Sequence, residues 1–248
     1  MMNITDTYQT HRQQGFSLIE LMIAMTISLI LMAGVGQIYL GTKASYNLQN
    51  GLSRLQENAR FALDILSHNI GQSGYTTNLG SIDAINSANT LENQSENTGL
   101  GFTQLTGTAS DIIEINYDST TDCLGNATAG TATDRYYINN STLMCLGNGS
   151  VTPGVLAEGI DNMQLLYGED TDNDEDTDIA NVFVNAGNVT NWDNVKSVSV
   201  ALLVSTTESI GTASTDTNTH ILLNTPPIGP LNDNMLRRVF NTTILVRN

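Results

Sequence analysis

The chain has 248 residues, 25 of them acidic and 9 basic, for a formal net charge of −16, and it contains two cysteines. That balance argues against direct nucleic-acid binding, because nonspecific affinity for phosphate backbones comes from Lys and Arg displacing counterions. The length suits one ordinary domain with an appended segment, so a sizeable hydrophobic core is within reach.

The charge is unevenly placed. Asp6 and Arg12 cancel, and from Phe16 to Ile70 three basic residues balance three acidic ones. The whole excess follows Gly71, where 21 carboxylates face five basic residues.

The first element in chain order is an apolar run from Phe16 to Leu40, 25 residues in which Glu20 is the only charge. As a helix it would measure about 37 Å, enough to cross a hydrocarbon core of ~30 Å. An ionised side chain near the middle of a span costs about 2.5–3.5 kcal/mol. Glu20 therefore needs a counter-charge. An ordinary secretory signal cut near Ala33 or Gly34 is one reading, but such signals carry an apolar core of about 7–15 residues without a carboxylate. Cleavage between Gly15 and Phe16 would instead create an α-amino group four residues before Glu20, about one helical turn away. In the same chain or a staggered neighbour, that cation would neutralise the acid, so the charge would become favourable on assembly.

Beyond the span, apolar residues recur at Leu48, Leu52, Leu55, Ala59, Ala62, Leu66 and Ile70. This helix-period stripe predicts one helix from about Phe16 to Ile70, its second half laid on a globular head. Gly71 and Gly74 supply the stop. Gly34 and Gly36 mark either a flexible point or a place where helices pack closely. Thr76 to Ser110, rich in Thr, Asn, Ser and Gly, reads as a long, weakly ordered connection with room for one short strand or turn of helix.

Strand candidates follow at Asp111–Tyr117, Arg135–Asn139, Thr142–Leu146, Ile160–Tyr167, Val195–Ser205 and Val239–Arg247. The clearest is "VKSVSVALLVS", where Val198, Val200, Leu202 and Val204 share one face at period two. Three prolines in "NTPPIGP" make Asn224–Pro230 a loop. Strands in series after one long helix predict an α+β fold, an antiparallel sheet packed on that helix. The expected organisation is a leader at 1–15, a transmembrane half-helix at 16–40, an amphipathic half-helix at 41–70 and a globular head at 71–248.

Cys123 and Cys145 both fall in the head. In an oxidising compartment a disulfide is the default, with two buried thiols as the alternative. A bridge would close a loop of roughly 23 residues and stabilise the fold by about 3–4 kcal/mol. No His lies near enough to make these cysteines a metal site.

Asp170, Asp172, Asp174, Asp176 and Asp178 occupy alternate positions in a run of seven carboxylates, Glu169 to Asp178. Alternate acids on a curled loop can converge on Ca²⁺, which takes about six to eight oxygen ligands. The spacing is not that of an EF-hand: counted from Asp170, the sixth position is Glu175 instead of Gly and the twelfth is Asn181 instead of Glu. A solvated acidic loop is the other reading, and no further cofactor is indicated.

There is no Gly-x-Ser-x-Gly elbow, no metal-spaced His pair and no glycine-rich phosphate loop, so the chain is not expected to be an enzyme. His68 lies on the amphipathic helix and His220 among Thr and Asn. Arg237, Arg238 and Arg247 are expected to pair with neighbouring acids. Trp192 and Tyr167 read as core residues more than as a partner contact.

The stretch "GFSLIELMIAMTISLIL" resembles the type III signal of type IV pilins and type II secretion pseudopilins. "RLQENARFALDILSHNIGQSGY", "YGEDTDNDEDTD" and the terminal "RRVFNTTILVRN" resemble the PilW-type minor pilins. The resemblance implies a pilin-like fold, cleavage after Gly15 by prepilin peptidase, N-methylation of Phe16, and Glu20 as the assembly carboxylate. It departs from the pattern in having no Cys soon after Gly74-Tyr75. It further implies a single-pass inner-membrane protein with a cytoplasmic leader and periplasmic head, later part of a pilus fibre. Its partners would be other minor and major pilins, prepilin peptidase and the assembly platform in the inner membrane. A role in initiating or capping the pilus would support twitching motility, adhesion or DNA uptake. Two alternatives stand beside it: a minor pseudopilin of a type II secretion system, and a pilus-tip adhesin with a ligand-binding head.

Overall fold

The computed structural model describes residues 15–77, 84–85, 91–94, 109–172, 179–210 and 215–246. The chain divides into two units, Met1–Tyr46 and Asn47–Asn248. One helix, α1 (Leu18–Gly71), has residues in both.

Within the first unit every described residue is exposed, including Leu18, Met25, Leu29, Ile38 and Leu40. The helix is long and apolar enough to cross a membrane by length and composition. Its hydroxyls are satisfied inside the helix: Thr26 Oγ1 donates to Ile23 O at 2.8 Å, Ser28 Oγ to Ala24 O at 2.7 Å and Thr42 Oγ1 to Ile38 O at 2.8 Å. Lipid offers no other acceptor, so this return to the backbone removes the cost of carrying hydroxyls in the span.

In the second unit α1 buries Leu55, Ala59, Ala62, Leu66 and Ile70, the helix-period stripe expected from the sequence. Leu48, counted in that stripe, is instead 43% exposed. Past Gly71 the chain turns at Gly74, whose φ of 76° favours glycine, and the Gly74 N–H donates to Asn116 O at 2.9 Å.

The head holds two antiparallel sheets, where the sequence suggested one. The first is a meander of β1 (Leu91–Gln94), β2 (Ser110–Thr121), β3 (Ala127–Asn139), β4 (Thr142–Gly147) and β5 (Gly154–Glu158), in that order. The second contains β6 (Ile160–Glu169), β7 (Val182–Val184), β8 (Val195–Ser205) and β9 (Arg237–Leu245), in the order β7-β6-β8-β9. The break falls at Gly159, between β5 and β6. Its φ is 75°, and a Cβ there would stand 2.6 Å from Ser205 O, so glycine lets the chain leave one sheet and enter the other against β8.

Two strands, β5 and β7, were not expected from the sequence, and β1 is the short strand allowed for in the Thr76–Ser110 connection. β5 and β7 are short and lie at sheet edges, where a single neighbour and partial exposure leave little period-two signal. β3 begins eight residues before the predicted start, because its first half, "ATAGTATD", is built from small and polar residues. The Thr76–Ser110 connection also contributes to the core: Ala84 and Ile85 are buried, and Ile85 bridges to Ile115.

One hydrophobic cluster joins the α1 stripe to the inner faces of both sheets, among them Ile113, Tyr136 and Leu143 from the first and Met163, Val200 and Leu202 from the second. β8 has no solvent face. Val198, Val200, Leu202 and Val204 enter this cluster, whereas Ala201 and Leu203 meet Leu222, Leu223 and Ile228 from the segment between β8 and β9. The period-two assignment for β8 is correct, and its second face is roofed by that return segment.

Candidate functional site

Three charged sites stand out, and they treat charge differently. At the N-terminal motif, Gly15 to Ser17 lie outside the helix and α1 begins at Leu18. Ser17 O accepts hydrogen bonds from the N–H groups of Glu20 (3.1 Å) and Leu21 (3.2 Å), placing Glu20 in the first turn. A carboxylate there is favoured by the unsatisfied N–H groups of a helix start. Phe16 is 84% exposed and nothing lies within 4 Å of a Cβ placed on Gly15, so the Gly15–Phe16 bond is sterically open. Among the described residues Glu20 has no side-chain partner.

The second site surrounds the disulfide. Cys123, in the β2–β3 turn, is bonded to Cys145 on β4, with Cα atoms 6.6 Å apart. Asp134 on β3 is fully buried beside them. Its Oδ1 accepts the Cys123 N–H at 3.1 Å, and its Oδ2 accepts the hydroxyls of Tyr117 at 2.6 Å and Tyr136 at 3.5 Å. Burial pushes the Asp134 carboxyl above the usual range, and the three donors only partly offset it. Asp122 ties the same turn. Its Oδ1 accepts the N–H groups of Leu124 (2.9 Å) and Asn126 (2.8 Å), and its Oδ2 that of Gly149 (3.1 Å). Burial pushes Asp122 upward, but these bonds outweigh it and hold the carboxyl below its ordinary range.

The third site is a clasp centred on Arg237, the first residue of β9. The guanidinium is almost wholly buried and binds three carboxylates: Nε to Asp161 at 2.7 Å, Nη1 to Asp216 at 3.2 Å, and Nη1 and Nη2 to Asp233 at 2.6 and 2.7 Å. Ser205 Oγ donates to the other oxygen of Asp161 at 2.9 Å, and His220 Nε2 lies 3.2 Å from Asp216. Asp161 is on β6, whereas Asp216, His220 and Asp233 belong to the return segment, so one arginine fixes that segment over β8. The clasp borders a cavity of about 300 Å³ lined in part by Ser141, Glu158, Thr207 and Met235.

The family model for Type IV Pilus-assembly protein W matches residues 127–248, and that for the prokaryotic N-terminal methylation motif matches residues 10–36. The chain is similar to type IV pilins of the PilW type over its C-terminal half and carries their N-terminal methylation motif. Among solved structures it is similar to a type IV-like pilin from Thermus thermophilus, at 15% identity over 78% of this chain and 95% of that one, with a TM-score of 0.44. It is also similar to a chain of the GspK–GspI–GspJ complex of the enterotoxigenic Escherichia coli type 2 secretion system, at 12% identity over 78% and 98%, with a TM-score of 0.34. No curated protein matches.

The methylation-motif match covers Gly15, Phe16 and Glu20, and this signal with its apolar helix indicates membrane anchoring. The PilW match spans β3 to the C-terminus and so contains Cys145, Asp134 and the whole clasp. Of the candidate Ca²⁺ ligands, Asp170 is buried and Asp172 exposed, and Asp174, Asp176 and Asp178 lie outside the described residues. Glu169, which opens the acidic run, is turned inward. Its oxygens accept the N–H groups of Thr190 (3.0 Å) and Asn191 (2.6 Å) and the Thr190 hydroxyl. Burial raises its pKa, and these bonds more than reverse the effect. Among the described residues the one convergence of three Cys, His or carboxylate ligand atoms is Cys123, Asp134 and Cys145, whose sulfurs are already bonded to each other.

Tyr167 and Trp192 form an edge-to-face pair with ring centroids 4.9 Å apart. Tyr167 is buried and Trp192 packs against the core from its margin. Among the described residues His68 bonds only Gln72, one turn on, at 2.6 Å. His220 belongs to the clasp, a role the sequence reading did not assign. The signal was Asp216 four residues before it and Arg237 beyond, but only folding the segment back makes them neighbours.

Proposed function

We propose that this chain is a minor pilin that enters a type IV pilus through α1 after cleavage between Gly15 and Phe16, and that it promotes initiation or capping of the fibre. The carrying observation is the exposed apolar helix that presents Glu20 in its first turn with no partner among the described residues. In lipid such a carboxylate is costly. The methylated amine of Phe16, in this chain or a neighbouring pilin, supplies the missing charge when helices leave lipid for a bundle. The protein therefore works by association, without catalysis: prepilin peptidase and the inner-membrane platform act on it, and other minor and major pilins receive it. Its head is periplasmic before assembly and at the cell surface afterwards. The processes it serves are twitching motility and, through the fibre, adhesion or DNA uptake.

The test is Glu20→Ala expressed in a strain lacking the wild-type copy. Cleavage after Gly15 is expected to persist while incorporation and piliation fall; full incorporation of the mutant removes the charge argument. Deleting the wild-type gene should abolish or thin surface filaments. Loss of secreted enzymes with intact filaments would assign the chain to a secretion pseudopilus instead. Mass spectrometry of the mature N-terminus should find methylated Phe16.

A further inference from the structure

We propose that the buried Asp134 carboxylate locks the Cys123–Cys145 bond in its oxidised state by opposing the thiolates that any reductive opening must create. An oxygen of Asp134 and both Sγ atoms lie within 4.8 Å of one another. Asp134 and Cys145 are fully buried, whereas Cys123 is partly exposed. A reductant therefore reaches the Cys123 sulfur first.

The opening runs in two balanced steps. A reductant thiolate attacks Cys123 Sγ, forms a mixed disulfide with it and expels Cys145 as a thiolate. A second reductant thiolate then attacks the mixed disulfide at the reductant's sulfur, giving oxidised reductant and the Cys123 thiolate. Two electrons pass from the reductant to the protein sulfurs. The first leaving group is the buried one, and it emerges with a full negative charge against the carboxylate. A like charge in a dry site raises the pKa of the departing thiol and makes it a poorer leaving group.

Hydrogen-bond donors reach both oxygens of Asp134, and among the described residues no cation stands beside it to cancel a charge. Tyr117 from β2, Tyr136 from β3 and the Cys123 N–H all donate to its oxygens. These bonds favour the charged form, although burial outweighs them and leaves the carboxyl above its usual range. Asp122 in the adjoining turn adds a second negative charge, and Asn69 of α1 reaches the hydroxyl of Tyr136. Among the described residues no Lys, Arg or His is bonded to Asp134.

The experiment follows reduction of the native full-length chain by dithiothreitol at pH 9, alkylating aliquots and counting modified cysteines by mass. Asp134→Asn removes the charge and keeps most of the shape. It should be reduced several-fold faster, since the pKa of the leaving thiol enters the exchange rate with a fractional Brønsted exponent. Tyr117→Phe removes a donor that draws charge from the carboxylate and should be reduced more slowly than wild type. General loosening of the turn would accelerate both variants, so the opposite signs separate the lock from a packing effect. Equal rates for wild type and Asp134→Asn, or acceleration in both variants, overturns the proposal. If Asp134→Asn fails to fold by circular dichroism, Tyr117→Phe decides alone: slower reduction supports the lock, and unchanged or faster reduction rejects it.

Discussion

The two ends of the chain handle isolated charge in opposite ways. Glu20 sits on an exposed apolar helix with no partner among the described residues, whereas Arg237 is buried and saturated by Asp161, Asp216 and Asp233 from its own chain. The Arg237 clasp is paired within its own chain when the head folds. The described residues supply Glu20 with no such counter-charge.

Removing Arg237 should break the comparison most severely. Arg237→Ala leaves three carboxylates facing one another without their cation, and is expected to destabilise the head by about 3–5 kcal/mol in urea unfolding of the detergent-solubilised chain. Cys145→Ser comes next, with a loss of about 3 kcal/mol for a bridge spanning 22 positions. The pH dependence is smaller. In Asp233 the bonds from Arg237 lower the pKa against burial. In Asp216 burial raises it, and the bonds from His220, Asn218 and Arg237 reverse that. Both carboxyls thus sit below their ordinary range in the folded head, so the unfolded chain binds protons first as pH falls. The clasp's contribution is complete above the ordinary carboxylate range and is lost as pH drops through the lower folded values. A thermal melt series from pH 6 to acid should show that loss, and Arg237→Ala should flatten it. The smallest effect sharpens the contrast: Glu20→Gln should leave the unfolding curve of the head within about 0.5 kcal/mol of wild type.

What the sequence revealed was what repeats at short range. Leu55, Ala59, Ala62, Leu66 and Ile70 announce a helix face by spacing alone, and Val198 to Val204 announce a strand face in the same way. Glu20 was conspicuous because it is the only charge in 25 residues. The division into two sheets was not visible, since it turns on the backbone freedom of one residue, Gly159, among 21 glycines. The clasp was hidden for a different reason. Asp161, Asp216, Asp233 and Arg237 are spread over three segments, and no local pattern pairs them. Arg237 was expected to meet acids, but which acids, and that they hold a roof over β8, follow only from the fold. Asp134 was equally silent, because a lone aspartate in a strand becomes notable only when two sulfurs and two tyrosines surround it.

β8 carries one more consequence. Eleven residues with apolar side chains on both faces are flanked by β6 and β9 and roofed by a segment that comes after them in the chain. Until Arg237 and the final strand have been made, "VKSVSVALLVS" has neither its last neighbour nor its cover. Until then it is a sticky, β-prone stretch with Lys196 as its only charge. A nascent head stalled before residue 237 should therefore aggregate or be degraded, making the closing strand a checkpoint for release.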